Sequence, residues 1–169
     1  DGILNILDDD DDGDAILSSE EQEDKNGDNI ADAQQGDVTT VRNDSIVGDV
    51  TMETKVVSGS HCRVIENLAL MEATDLPGDD GFGYPNGLMY FELPNCTSAE
   101  ITFYFSPDAE MVSSWRKYGP TTPGDPLTAE WYDFTDNVEI FNTVVDGKQI
   151  QAVTMYLEDG ELGDDTAKD

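Results

Sequence analysis

The sequence predicts an all-β fold, an antiparallel, immunoglobulin-like β-sandwich preceded by an acidic segment without a core of its own. Three observations carry that prediction. Eight short apolar or alternating runs lie beyond residue 37, separated by turn residues and with almost no helical periodicity. All Trp, Tyr, Phe and Cys residues also lie beyond residue 37. The first 37 residues instead hold 14 acidic residues and a single base, Lys25, and charge density per residue falls by more than half after them. The chain is therefore read as two units, 1–37 and 38–169.

Residues 1–37 have few apolar side chains: Ile3, Leu4, Ile6, Leu7, Ile16, Leu17 and Ile30. A segment of that composition would by default be a self-repelling acidic linker. Its spacing argues for more. Asp10, Asp12 and Asp14 alternate, with Gly13 between the last two, and are followed by Ile16, Ser18 and Glu21. A shift of 14 residues gives Asp24, Asn26 and Asp28, with Gly27, then Ile30, Asp32 and Gln35. Asp1, Ile3, Asn5 and Asp8 match the second half of the same unit. This is an internal repeat. Its chemistry suits a hard cation, because calcium takes six to eight oxygens and a curled loop offers every second side chain to one point. The expected donors are Asp8, Asp10, Asp12, Asp14, Ser18 and Glu21 with the carbonyl of Ile16, then Asp24, Asn26, Asp28 and Asp32 with the carbonyl of Ile30. The repeated isoleucine anchors each loop. Gln35 stands where an acid would bind more strongly. An EF-hand is disfavoured because no long amphipathic helix flanks either loop.

In these positions the segment resembles thrombospondin type 3 repeats, the calcium-filled stalk repeats of secreted proteins. The resemblance implies Ca2+ as the bound ion. Ala15 and Asn29 stand where those repeats favour glycine, and of the two Asn29 tolerates a left-handed backbone better.

The strands expected in the second unit span 46–57, 62–71, 87–93, 100–106, 114–118, 130–134, 138–145 and 148–158. Ile101, Phe103 and Phe105 alternate with polar or amphipathic neighbours, as a half-buried strand requires. Asp146-Gly147 is a two-residue hairpin signal between the last two strands. Cys62 and Cys96 are the only cysteines, and each flanks an expected strand. A disulfide between them is the favoured reading, two buried free thiols being the other. Closing a loop of about 35 residues would contribute roughly 3.8 kcal/mol in the chain-entropy model. Trp115, Tyr118, Trp131 and Tyr132 border the Pro/Gly-rich stretch GPTTPGDP. They are read as core and hairpin packing, with an aromatic platform for a sugar as the functional alternative.

The junction DAQQGDV, the runs PNGLMYFEL, TFYFSPD, WRKYGPTTPGDP and EWYDF, and the closing VTMYLEDGELGDD together resemble the choice-of-anchor U domain of bacterial exported proteins. That resemblance covers nearly all of residues 37–169. It implies a non-enzymatic domain near the anchoring end of a surface protein, following acidic repeats. The chain ends before the family's last strand and anchor signal, and is read as a fragment of a longer secreted protein.

The formal net charge of -30 excludes a nucleic-acid phosphate backbone and an anionic membrane surface as partners, and suits a calcium-rich extracellular setting. No apolar run is long enough to insert in a membrane. His61, the sole histidine, adjoins Cys62, but neighbours on a strand point to opposite faces. Glu130 and Asp133 could mimic a glycosidase pair, a signal worth little among 38 carboxylates. Two further acidic loops, with Asp75, Asp79 and Asp80 and with Glu158, Asp159, Asp164 and Asp165, have a calcium-like composition, though solvated loops are the plainer reading. The expected function is a calcium-binding, non-enzymatic spacer of a bacterial cell-surface or secreted protein. The alternative is an adhesin module recognising a glycan or peptide.

Overall fold

Alternation in the central strand decides which layer is buried. Ile101 and Phe103 are fully excluded from solvent, and Phe105 nearly so. The computed structural model describes residues 9–11, 17–19, 22–57, 65–94 and 96–166. Among these the chain forms nine strands: β1 (Val38–Arg42), β2 (Asp49–Val56), β3 (Glu66–Met71), β4 (Leu88–Glu92), β5 (Ser98–Phe105), β6 (Arg116–Pro120), β7 (Ala129–Asp133), β8 (Val138–Val145) and β9 (Lys148–Glu158). The helical elements of the described residues are single 3-10 turns. The protein is all-β and its strand pairings are antiparallel.

A five-stranded sheet runs in the order β1-β2-β5-β9-β8, while β3-β4 and β6-β7 are separate two-stranded ribbons. Register places Val50, Met52, Phe105, Phe103, Ile101, Val153 and Met155 on one face of the large sheet. These residues share a single core with Ile65, Leu70 and Phe134, and Met89, Phe91, Trp115 and Tyr132 pack against it. Both ribbons thus contribute to the cover of that face. Phe103 is the centre: it stacks on Trp115 at 5.4 Å and meets Phe91 at 6.0 Å.

The opposite face is buried too, but in polar fashion. Val38 and Ala152 are excluded from solvent there, beside the nearly buried Thr51 and Thr102. The hydroxyls of Thr40 and Thr51 bond at 2.8 Å, as do those of Thr102 and Thr154. Each threonine thereby satisfies a hydroxyl that burial would otherwise orphan. Tyr104 donates its hydroxyl to Glu53 at 2.6 Å.

The expected runs 138–145 and 148–158 coincide with β8 and β9, and Asp146-Gly147 joins them, both residues at positive φ (49° and 73°). The other expected runs overlap β2 to β7 with ends moved by a few residues. Positions 62–64 of the second expected run lie outside the described residues. β1 was not among the eight expected runs. It reads VTTVR, and its first four residues are buried. β3 carries a bulge between Glu66 and Ala69, where Asn67 takes φ 54°.

Candidate functional site

The 14-residue repeat of the sequence returns as a repeat of hydrogen bonds. Ser18 N donates to the Asp9 carbonyl at 2.9 Å, and 14 residues later Asp32 N donates to the Glu23 carbonyl at 2.9 Å. Asp11 N donates to Ser18 Oγ at 2.8 Å, and Lys25 N donates to Asp32 Oδ1 at 3.1 Å. Ser18 and Asp32 therefore close equivalent loops by accepting from backbone. Asp10 is half-buried in the first loop. Asp8, Asp12, Asp14, Ile16 and Glu21 lie outside the described residues.

The second loop curls around its own carboxylates. Asp24 Oδ1 accepts from Gly27 N at 2.7 Å and Asp28 N at 3.0 Å, and its Oδ2 accepts from Asn29 N at 2.7 Å. Asn26 Oδ1 accepts from Asp28 N at 3.3 Å, and Asp28 Oδ1 from Ile30 N at 2.8 Å. Gly27 and Asn29 supply the positive φ of the curl (78° and 72°), the role expected of Asn29. Gln35 Nε2 donates to both Asp28 Oδ1 and the Ile30 carbonyl, each at 3.3 Å. An N–H donor thus sits where two oxygens of the loop converge. A half-turn of that amide would present Oε1 to the same point.

These donors are hard oxygens, and carboxylate, amide and carbonyl together fit calcium rather than a thiophilic metal. Among the described residues, no three His, Cys, Asp or Glu side chains stand gathered as a finished shell. Asp32 is fully buried. Burial pushes its carboxyl up to about 6; the backbone N–H and charge of Lys25 draw it down, and the charges of Asp24 and Asp28 push it further up.

Lys25 itself turns away from the loop's oxygens. Its ammonium pairs with Asp49 at the start of β2 and approaches Glu23 at 3.5 Å, and Arg42 reaches the same Asp49 at 3.6 Å. Nothing in the spacing of the repeat marked Lys25 for this role. The available signal was its status as the sole base in the first 37 residues.

The two other acidic loops are each paired with a base on β6. Asp79 accepts two bonds from Arg116, at 2.7 Å from Nε and 2.8 Å from Nη2, and one from the Tyr84 hydroxyl at 2.5 Å. The Arg116 bond holds Asp79 below the usual carboxylate range. Asp165 pairs with Lys117 at 2.8 Å, and Asp164 Oδ2 accepts from Gly160 N at 2.9 Å. Asp75 Oδ2 accepts from Glu72 N at 3.2 Å. Arg116 and Lys117 are adjacent on β6, so Asp79 and Asp165 meet opposite faces of that ribbon.

The four aromatic candidates divide between the same two faces. Trp115 and Tyr132 turn inward: Trp115 stacks on Phe103, and Tyr132 meets Phe134 at 6.1 Å. Tyr118 and Trp131 are register partners on the outer face, tilted by 59°. Tyr84 stacks on Trp131 at 5.0 Å, and the indole N–H donates to the Pro77 carbonyl at 2.6 Å. Arg116 lies 4.2 Å over the Phe82 ring. The loop around residues 77–84 therefore occupies the outer aromatic face. Glu130 and Asp133 are separated by three along β7 and point to opposite faces. Cys96 packs against the core, and no free thiol occurs among the described residues. Cys62 and His61 lie outside them.

Comparison of the chain with family models, curated proteins and solved structures returns no match.

Proposed function

We propose that this chain is a calcium-binding, non-enzymatic structural module of a bacterial cell-surface or secreted protein, a spacer near its anchoring end. The observation that carries the reading is the second loop, which repeats the first at an interval of 14 residues and turns Asp24, Asn26, Asp28 and the Ile30 carbonyl into one curl. Calcium would be held there by those oxygens, with Gln35 completing the shell after its amide turns. The first loop would hold a second ion through Asp10, Asp12, Asp14, Ser18 and Glu21. Calcium supplies the positive charge that this crowd of carboxylates otherwise lacks.

The β-domain is read as an immunoglobulin-like sandwich, with the two ribbons forming the second layer over the five-stranded sheet. The likeness to a choice-of-anchor U domain and the net charge of -30 support an extracellular place. Cys62 and Cys96 are assigned to one disulfide, which fits the half-buried seat of Cys96. The cover that Tyr84 lays over Trp131 favours packing over ligand binding and so favours the spacer over the adhesin.

Limited proteolysis read by mass tests this. Cleavage between Asp8 and Gln35 should be slow in calcium and fast in chelator, while fragments spanning 62–96 stay joined until reductant is added. Equal cleavage rates in both buffers would reduce the segment to an acidic linker. Two alkylatable thiols in unreduced protein from an oxidising compartment would remove the disulfide.

A further inference from the structure

The second loop is not only a candidate ion site. It lies on the polar face of the five-stranded sheet, where two contacts place it and burial and charge agree with them. Lys25 pairs with Asp49, with 15% and 20% of their side chains exposed. A Cβ on Gly27 would stand 3.3 Å from Val145 Cγ2 and 3.8 Å from the Val144 carbonyl, so the curl of the loop rests on the end of β8. Asp32 and Ala33 are buried where the loop hands over to β1. Asp28 is near enough to Tyr104 of β5 for its charge to help raise the phenol, behind burial and the bond to Glu53. Register puts Tyr104, Ala152 and Val145 on the face opposite Phe103. A cleft of about 590 Å³ remains between loop and sheet end, lined by Asp24, Lys25, Tyr104, Val145, Lys148 and Ile150.

We propose that residues 23–37 form a calcium-dependent clasp of the β-domain, through which ion binding in the loop controls how often the sheet opens. The proposal rests on the calcium reading of this loop and adds its consequence. A sheet face carrying buried threonines and a tyrosine needs a cover that excludes water. At the end of that face nearest Asp49 and Val145, part of the cover is a loop whose carboxylates repel one another until a cation joins them. Calcium binding and seating of the loop are then one equilibrium, and stability gained in the loop passes to β1, β2 and β5. Lys25 is the positioning residue. Its side chain carries no oxygen for the ion, so truncating it should uncouple the two events and leave the ligands intact.

The test is amide hydrogen exchange on the full chain, with calcium or with chelator, in the native sequence, in Lys25→Ala and in Lys55→Ala. Lys55 is an exposed base that pairs with Glu53 and gives the same change in charge. With calcium at a hundred times its dissociation constant, native amides of β2 and β5 that exchange through opening of the clasped state should slow by up to about 100-fold, the factor 1 + [L]/Kd. Lys55→Ala should keep that slowing. Lys25→Ala should keep calcium protection within residues 23–37 and lose most of the slowing in the sheet. If calcium protects the loop in native protein but leaves β2 and β5 unchanged, the clasp is wrong and the calcium reading stands. If Lys25→Ala keeps the full slowing in the sheet, the clasp is wrong as drawn. If calcium protects neither loop nor sheet, the calcium reading fails and the clasp with it.

Discussion

Asp28 ties the second loop to itself and to Gln35. Its Oδ1 takes one bond from Ile30 N and one from Gln35 Nε2, so a single carboxylate oxygen holds the curl and faces the point where a cation would gather. Asp28→Ala should therefore lose a ligand and a turn contact together. Asp12→Ala should act alike in the first loop, by the spacing of the repeat. Asp136 is an exposed acid far along the chain, in the 3-10 turn Thr135–Asn137, and serves as the matched loss of charge. Calorimetric titration should show calcium affinity reduced at least about tenfold for Asp28→Ala, a change of about 1.4 kcal/mol, and nearly unchanged for Asp136→Ala. Equal affinities in the two variants would mean that calcium answers to charge alone and not to this loop. At this scale the alternation of Asp24, Asn26 and Asp28 was legible, and the loop folds each of these side chains back onto its own backbone N–H groups. The role of Lys25 was not, because its partner Asp49 is 24 residues away and is chosen by the sheet.

Some elements announced themselves locally and others did not. The strand β5 was legible because Ile101, Phe103 and Phe105 alternate, and the β8-β9 hairpin because Asp146-Gly147 accepts two positive φ values. β1 escaped because its only apolar residues, Val38 and Val41, are three apart and so face opposite sides of the sheet, which gives no alternation. Pairing with β2 gives Thr40 the Thr51 hydroxyl and makes it fit to bury. The latch of the loop 77–84 on β6-β7 was also hidden, since Asp79 and Arg116 are 37 residues apart and nothing local couples them. Its pH dependence follows from its chemistry. Arg116 and the Tyr84 hydroxyl hold Asp79 below its ordinary value. A carboxylate depressed in the folded state contributes stability above its unfolded pKa, and the contribution is lost as pH falls through the lower, folded value. The latch should therefore stay shut through about pH 4, where an ordinary Asp titrates, and open only in stronger acid. Trp131 fluorescence in a Trp115→Phe background would report it, because Tyr84 leaves the indole when the loop lifts. Asp79→Asn should abolish that acid transition. A transition of the native protein centred at or above about pH 4 would show that Arg116 does not hold the carboxylate.

For the whole molecule, charge is the first term. A net charge of -30 on 169 residues pushes the compact state apart at low ionic strength, and β1 joins the described acidic residues 22–37 to the edge of the sheet. Two different cation effects must then be separated. Screening is general: it needs only ionic strength, and the Debye length falls from about 30 Å at 0.01 M to about 10 Å at 0.1 M. Ligation is particular: it needs an ion that accepts irregular shells of six to eight oxygens, as calcium does, whereas magnesium demands a near-ideal octahedron and keeps its waters. The oxygens expected to bind in the second loop are mixed, the carboxylates of Asp24, Asp28 and Asp32 with the Asn26 amide and the Ile30 carbonyl, and under the calcium reading that mixture favours the larger, more tolerant ion. The melting temperature should thus rise in two stages. Sodium chloride taken from about 0.01 M to 0.1 M should raise it modestly by screening alone. Calcium added at fixed ionic strength should raise it further, by the equivalent of about 2.7 kcal/mol per site at a hundred times the dissociation constant. Magnesium at the same concentration should add much less. Asp28→Ala should retain the response to sodium chloride and lose much of the response to calcium. Should magnesium stabilise the protein as fully as calcium, or the calcium increment survive in a chain lacking residues 1–37, the acidic segment acts through its charge and not through a shell of chosen oxygens.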